Sequence, residues 1–167
     1  MKVFPLRHAI AVPRGAGRAR TDRRRPLTPK GRRRLRQVIQ AMARLGLQFD
    51  LIVSSPFVRA RQTAELVVSE LPSSAPLELS DTLAVGRHPR QVLDLLAKRR
   101  PAPASVLLVG HEPLLSQVAS VLLCGDLGLR LQLKKAGLCK LRVSSLAGGQ
   151  RATLEWLLTP KQLRQLA

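Results

Sequence analysis

Three times along this sequence a short apolar run ends in a group of polar residues, and a helical pattern takes over downstream. Lys2 to Arg7 ends in Arg7-His8. Asp50 to Ser54 ends in Ser54-Ser55-Pro56, with Arg59 a turn further on. Ala104 to Val109 ends in Gly110-His111-Glu112-Pro113. Strands that alternate with helices require crossover connections, which predicts a mainly parallel sheet with helices on both faces. The fold expected is therefore an α/β three-layer sandwich. Further on the pattern changes. Leu129 to Leu133, Leu138 to Val143 and Ala152 to Leu158 alternate like strands, and Gly148-Gly149 reads as a hairpin turn between the last two. These predict an antiparallel edge.

The helices are announced by caps. Thr28-Pro29 pairs a threonine N-cap with proline in the first turn, and Leu35, Val38, Ile39, Met42 and Leu45 recur on one face before Gly46. Ser55-Pro56 repeats the signal before Val58, Ala60, Ala64, Val67, Val68 and Leu71. His88-Pro89 opens a helix carrying Val92, Leu95 and Leu96, and Glu112 to Leu123 reads as another. A short strand is expected near Leu77 to Leu79. Pro5 is awkward inside the first strand, because proline cannot donate to a central ladder.

At 167 residues the chain has the size of one domain, 1–167. A chain of this length buries about 70% of its unfolded surface and needs no staple. Cys124 and Cys139 form no CxxC, and the run before Arg7 is too short for a signal peptide. No stretch approaches the ~20 apolar residues of a membrane span. A cytoplasmic protein free of membrane is the expectation.

The net charge is +19, from 29 Lys and Arg against 10 Asp and Glu. Eleven of those cations lie between Arg14 and Arg36, with Asp22 the single acid there. Such a run reads first as a solvated basic face, second as steering toward acidic partners, and third as a nucleic-acid contact. Aromatics are 2% of the chain, which is too few for base-stacking platforms, so nucleic acid is not the expected partner.

In open α/β sheets, ligands bind beyond the carboxyl ends of the strands. Arg7, His8, Arg59 and His111 all fall at such ends, and two of the three histidines are among them. The third, His88, precedes a proline and reads as a surface residue. Arginine forks match phosphate oxygens, and a neutral histidine can attack phosphorus. Arginine charge nearby favours that neutral form. No His/Asp cluster has metal-ligand spacing, so neither metal nor other cofactor is expected.

The blocks Leu6-Arg7-His8-Ala9, Arg25-Pro26-Leu27-Thr28 with Gly31, Ser55-Pro56-Phe57-Val58-Arg59-Ala60-Arg61-Gln62-Thr63, and Gly110-His111-Glu112-Pro113 follow in order along residues 6 to 113. With them the sequence resembles the histidine phosphatase superfamily and, within it, the small phosphohistidine phosphatases of the SixA type. The resemblance implies a phosphoglycerate-mutase-like fold. It implies that His8 is the nucleophile, that Arg7 and Arg59 clamp phosphate, and that His111 contacts the phosphoryl oxygens and assists transfer. Arg25 matches a family arginine near the pocket mouth and reads equally as one more charge of the basic loop. Ala9 stands where many members carry glycine, as the small branch often does. Larger members draw a general acid from a long insertion that this chain lacks. Asp81 and Glu112 are the nearby carboxylates, and neither has a motif that assigns the role. A pocket without a dedicated acid suits phosphoramidate cleavage better than ester cleavage.

The activity expected is removal of phosphoryl groups from a protein histidine through a covalent phosphohistidine, without metal. The partner expected is a phosphorylated histidine-containing signalling or phosphotransfer protein. Two alternatives stand beside it: a phosphomonoesterase of the same superfamily acting on a small phosphorylated metabolite, and a basic nucleic-acid-binding protein with a vestigial pocket.

Overall fold

The computed structural model describes residues 1–15, 21–72, 75–146 and 152–167. Six strands form one sheet: β1 (Lys2–Arg7), β2 (Leu51–Ser54), β3 (Leu77–Leu79), β4 (Ser105–Gly110), β5 (Leu138–Val143) and β6 (Ala152–Leu158). Their spatial order is β3-β2-β4-β1-β5-β6. The first four in that order run parallel, and β5 and β6 add the antiparallel edge. The helices are α1 (Pro29–Arg44), α2 (Val58–Glu70), α3 (Pro89–Ala97), α4 (Leu114–Cys124) and α5 (Pro160–Gln165).

Alternation along the strands divides the core. Phe4, Leu6, Ile52, Leu107 and Val109 pack on the face that α1, α2 and α5 cover. Val3, Val53, Val106 and Leu108 pack on the opposite face, against α3 and α4. The result is the expected three-layer sandwich. The period-two burial fixes the register, since a one-residue slip would exchange the two faces. That register holds His8 at the end of β1, where its N–H donates to the Gly110 carbonyl.

Pro5 does stand in a central strand. It lies opposite Leu108 of β4 and falls between the Val3–Leu141 and Leu6–Leu138 pairs on the β5 side. Leu129 to Leu133 is not a strand. The open edge of β1 goes to β5, so this segment is tied down by side chains instead. Ser120 Oγ accepts from Leu129 N–H at 3.1 Å, and Arg7 donates to the Leu133 carbonyl at 2.8 Å. The Ser55-Pro56 cap is also displaced. Helix α2 begins at Val58 with Phe57 as N-cap and no cap bond from the Phe57 side chain, while Ser55 Oγ accepts from the Phe57 N–H at 3.3 Å just ahead of the helix. Helix α4 starts at Leu114 rather than Glu112. Leu45 leaves the buried face and is 41% exposed at the end of α1. Gly148-Gly149 lies outside the described residues. Helix α5 adds Leu163 to the core. Among the described residues no helix is long and apolar enough to cross a membrane.

Candidate active site

The three strand ends converge as the sequence predicts. His8 follows β1, Arg59 lies in the first turn of α2, and His111 follows β4. All three are buried. The imidazole rings of His8 and His111 stand with centroids 5.1 Å apart.

His8 is held in one tautomer. Its Nδ1 lies 2.7 Å from the Ala9 carbonyl, which can only accept, so the ring proton is on Nδ1. Nε2 then carries the lone pair, and Arg59 Nε–H donates to it at 3.1 Å. His111 Nε2 lies 2.9 Å from Ser55 Oγ, the same hydroxyl that accepts from the Phe57 N–H ahead of α2. Phe57 packs on His111 at 5.1 Å, and the Arg59 guanidinium lies over the Phe57 ring.

Both histidines are neutral at physiological pH. Burial is the main cause for His8, opposed by the Ala9 carbonyl and helped by repulsion from His111 when that ring is also protonated and by the charges of Arg59 and Arg7, and the pKa falls to about 3. Burial again dominates at His111, followed by Arg59 and opposed by Asp22, and its pKa also falls to about 3. The neutral form expected from arginine charge is therefore owed first to desolvation.

Arg7 donates to the Leu133 carbonyl through one terminal nitrogen, and its Nε is buried without a partner among the described residues. His111 Nδ1 is in the same condition. Leaving a buried polar nitrogen unpaired costs about 1–3 kcal/mol. An oxyanion that reached Arg7 Nε, or His111 Nδ1 in the tautomer that carries the proton there, would accept from it and recover that cost.

Asp22, passed over in the sequence as the lone acid of a basic run, organises the site. Its carboxylate accepts from Arg59 at 3.0 Å, and its backbone carbonyl accepts from the same guanidinium at 2.7 Å. The other carboxylate oxygen accepts from Arg14 and Arg25. Burial acts to raise the Asp22 carboxyl, but Arg59 and Arg25 outweigh it and hold the pKa at about 2. Arg25 is spent inside its own loop, on Asp22 and on the Val12 carbonyl.

The remaining motif residues are supports. Thr63 Oγ1 accepts from Ala9 N–H at 3.1 Å and donates to the Arg59 carbonyl, tying the loop after the nucleophile candidate to α2. Gln62 accepts from Leu27 N–H at 2.9 Å. Gly31 packs directly on the Ile10 backbone. A patterned Gln or Thr on a helix flank is the signal that pointed to them, but only the fold shows what each one holds.

The two carboxylates considered as acids differ. Asp81 is exposed and pairs with Arg23. Glu112 takes a hydrogen bond from Ser116 and has its pKa raised by burial, against the lowering pull of that bond, of Arg7 and of nearby backbone N–H groups. It lines a cavity of about 300 Å³ beside His111, together with Val85, Arg87, His88 and Leu127. His88 itself caps α3, its Nδ1 accepting from Arg90 N–H. No group of three His, Cys, Asp or Glu side chains among the described residues is arranged to hold a metal.

A buried histidine facing a second histidine and an arginine Nε–H is an arrangement that suits a phosphoryl group, and comparison with known proteins shows the family. The model of the histidine phosphatase superfamily (branch 1) matches residues 3–84. An uncharacterised protein of Picosynechococcus sp. is 40% identical over 147 residues, 85% of each chain. Phosphohistidine phosphatase SixA of Escherichia coli is 33% identical over 128 residues, covering 75% of this chain and 76% of SixA. The solved structure of the protein histidine phosphatase SixA complexed with tungstate superposes with a TM-score of 0.83 at 27% identity, over 98% of this chain and 99% of that one. A phosphoserine phosphatase of Entamoeba histolytica, at 16% identity and a TM-score of 0.70, shares the fold. The chain belongs to the histidine phosphatase superfamily, in its small SixA-type branch. Membership supports phosphatase activity, and the fold is the phosphoglycerate-mutase-like one expected.

Proposed function

We propose that this protein is a metal-independent phosphohistidine phosphatase that removes the phosphoryl group from a histidine side chain of a partner protein. The observation that carries the proposal is the fixed tautomer of His8. A neutral imidazole with its proton tied to the Ala9 carbonyl presents the Nε2 lone pair to the pocket, beside an arginine fork and a second buried histidine. The resemblance to SixA supports the substrate class. Tungstate, a tetrahedral oxyanion, bound to SixA supports a phosphoryl-sized site.

The chemistry follows from these atoms. As the phosphoryl group enters, Arg59 turns its Nε–H from His8 to a phosphoryl oxygen. Arg7 Nε and His111 Nδ1 take further oxygens and hold the charge spread over them in the transition state. His8 Nε2 forms the new bond to phosphorus while the bond from phosphorus to the substrate nitrogen breaks. A substrate imidazole protonated on its other nitrogen departs as a neutral ring, so no carboxylic acid is required. The phosphorylated His8 keeps its Nδ1 proton on the Ala9 carbonyl at 2.7 Å. That proton makes His8 a good leaving group in turn. Water attacks phosphorus, the Nε2–phosphorus bond breaks, inorganic phosphate leaves, and His8 returns to its starting form.

The test is phosphate release from a phosphohistidine peptide against a panel of phosphoserine, phosphosugars and other monoesters, in EDTA. The proposal expects kcat/KM for phosphohistidine to exceed the monoesters by about a hundredfold or more, which is the discrimination a built site delivers. Turnover confined to one phosphorylated metabolite would instead make it a phosphomonoesterase.

A further inference from the structure

Helix α1 carries its charge where a helix least tolerates it. Lys30, Arg32, Arg33, Arg34 and Arg36 crowd its first half, and the first turn holds no acid. The N-terminal end of the helix dipole is positive, so these cations oppose it. Lys30 and Arg34 are like charges four residues apart, as are Arg32 and Arg36, which is also unfavourable. Of these five only Arg36 has an ion pair among the described residues, with Glu70. Nothing in the folding of α1 asks for this arrangement.

Its position gives a reason. The first turn of α1 sits on the loop that follows His8. Thr28 N–H donates to the Ile10 carbonyl, and Gly31 packs against the same group. Three other segments bring cations to the same end of the sheet. The 3₁₀ turn Asp22–Arg24 places Arg23 over Phe57, which packs on His111. Lys134 and Lys135 lead into the turn whose Ala136 N–H donates to the Arg7 and His8 carbonyls. Arg87 lines the cavity beside His111.

The acids at this end are already engaged. Asp22 is shared by Arg14, Arg25 and Arg59, Asp81 by Arg23, and Glu112 is held by Ser116. Arg24, Lys30, Arg33, Arg34, Lys134 and Lys135 remain exposed and have no ion pair among the described residues.

We propose that these cations form a docking collar for an acidic protein surface that surrounds the phosphorylated side chain. The inference rests on the phosphohistidine reading and narrows its substrate to partners with negative charge flanking the histidine. The collar surrounds a buried nucleophile, so the partner must carry its phosphoryl group on a side chain long enough to reach in. A nucleic-acid backbone would meet the collar and leave the pocket unused. No Phe or Trp is exposed among the described residues, so bases have no stacking surface.

The test uses two chemically phosphorylated peptides of equal length. In one the phosphohistidine is flanked by Asp and Glu, and in the other by Asn and Gln. At low salt the acidic peptide should show a kcat/KM about tenfold or more higher, within the range of electrostatic steering, and the advantage should vanish near 0.3 M salt. The triple variant Lys30→Glu, Arg33→Glu, Arg34→Glu should remove most of that advantage while the neutral peptide stays within about twofold. Its Tm should hold or rise, because the reversal relieves repulsion and suits the dipole. Equal kcat/KM for the two peptides at low salt, or equal losses on both in the variant, would overturn the collar. Inhibition by a duplex oligonucleotide at concentrations below those of the acidic peptide would reassign it to nucleic acid and overturn the proposal. Turnover of neither peptide, with monoesters still cleaved, would overturn the phosphohistidine reading instead.

Discussion

Gly31→Ala should damage catalysis from a position that touches no substrate. A Cβ built on Gly31 falls 2.1 Å from the Ile10 carbonyl oxygen and 3.0 Å from its carbon. The obstacle is backbone on both counts, so no side chain can swing away, and relief requires a shift of roughly 1 Å. Ile10 O also accepts from Thr28 N–H at 2.9 Å, and that bond must stretch or break. The costs are about 1–3 kcal/mol for overpacking and ~1 kcal/mol for the hydrogen bond. The replacement of helical glycine by alanine offsets ~1 kcal/mol. A net loss of about 1–3 kcal/mol remains, which for a chain of this size lowers Tm by roughly 3–10 °C. Activity should fall further than stability. Ile10 is two residues from His8, and a 1 Å misplacement of a reacting group costs about a hundredfold in rate. Gly46→Ala is the control. Gly46 has φ +63° with nothing within 4 Å of an added Cβ, at the far end of α1. It should lose about 1 kcal/mol through backbone strain and keep its rate. Thermal melts by circular dichroism and hydrolysis of phosphoramidate read the two quantities. If Gly31→Ala matches the wild type in both, the reasoning about this close approach is wrong.

Other expectations follow from the charges. His8 and His111 each fold with pKa about 3 against 6.5 unperturbed, so the unfolded chain binds more protons between those values. Stability should therefore fall as pH drops below 6.5, by up to ~1.4 kcal/mol per unit per histidine, and His111→Asn should flatten the slope in urea titrations. The enzyme-borne acidic limb of kcat/KM should lie below pH 5, and a midpoint near 6.5 would contradict burial as the dominant influence. Asp22 folds with pKa about 2 against 3.8, so its stabilisation is present above the higher value and lost as pH falls through the lower. Its side chain is 31% exposed, and solvent screening reduces the contribution to about 1–2 kcal/mol, which Asp22→Asn should remove at pH 7 and not at pH 2. Inorganic phosphate should raise the Tm of the wild type and of His8→Ala, and should raise that of Arg59→Ala far less, because the fork supplies charge that His8 does not.

The convergence of Arg7, His8, Arg59 and His111 was legible because strand ends in a parallel sheet share one edge. That inference needs only the order of apolar runs. What stayed hidden depends on contacts across the sequence. Asp22 looked like a stray acid among arginines, and nothing in the run says that three guanidiniums fold onto it. Ser55 has the spacing of a cap, and its hydroxyl serves both the Phe57 N–H ahead of α2 and His111, a contact across 56 residues that no local pattern shows. Leu129 to Leu133 alternates like a strand, but the place beside β1 is taken by β5, and the alternation alone does not say which segment wins that pairing. Helix α5 was missed although Thr159-Pro160 repeats the Thr28-Pro29 signal. Thr159 does cap it, with Gln162 closing the box. Its short length gives too few turns for a periodic pattern.

The central claim is that His8 carries the phosphoryl group. Rapid acid-free quenching of the wild type with a labelled phosphodonor, followed by peptide mapping, tests it directly. The account predicts a phosphoprotein that is acid-labile and base-stable, with the label on His8, and no adduct and no turnover in His8→Ala. Turnover near wild type in His8→Ala, or a label that maps to His111, would contradict it.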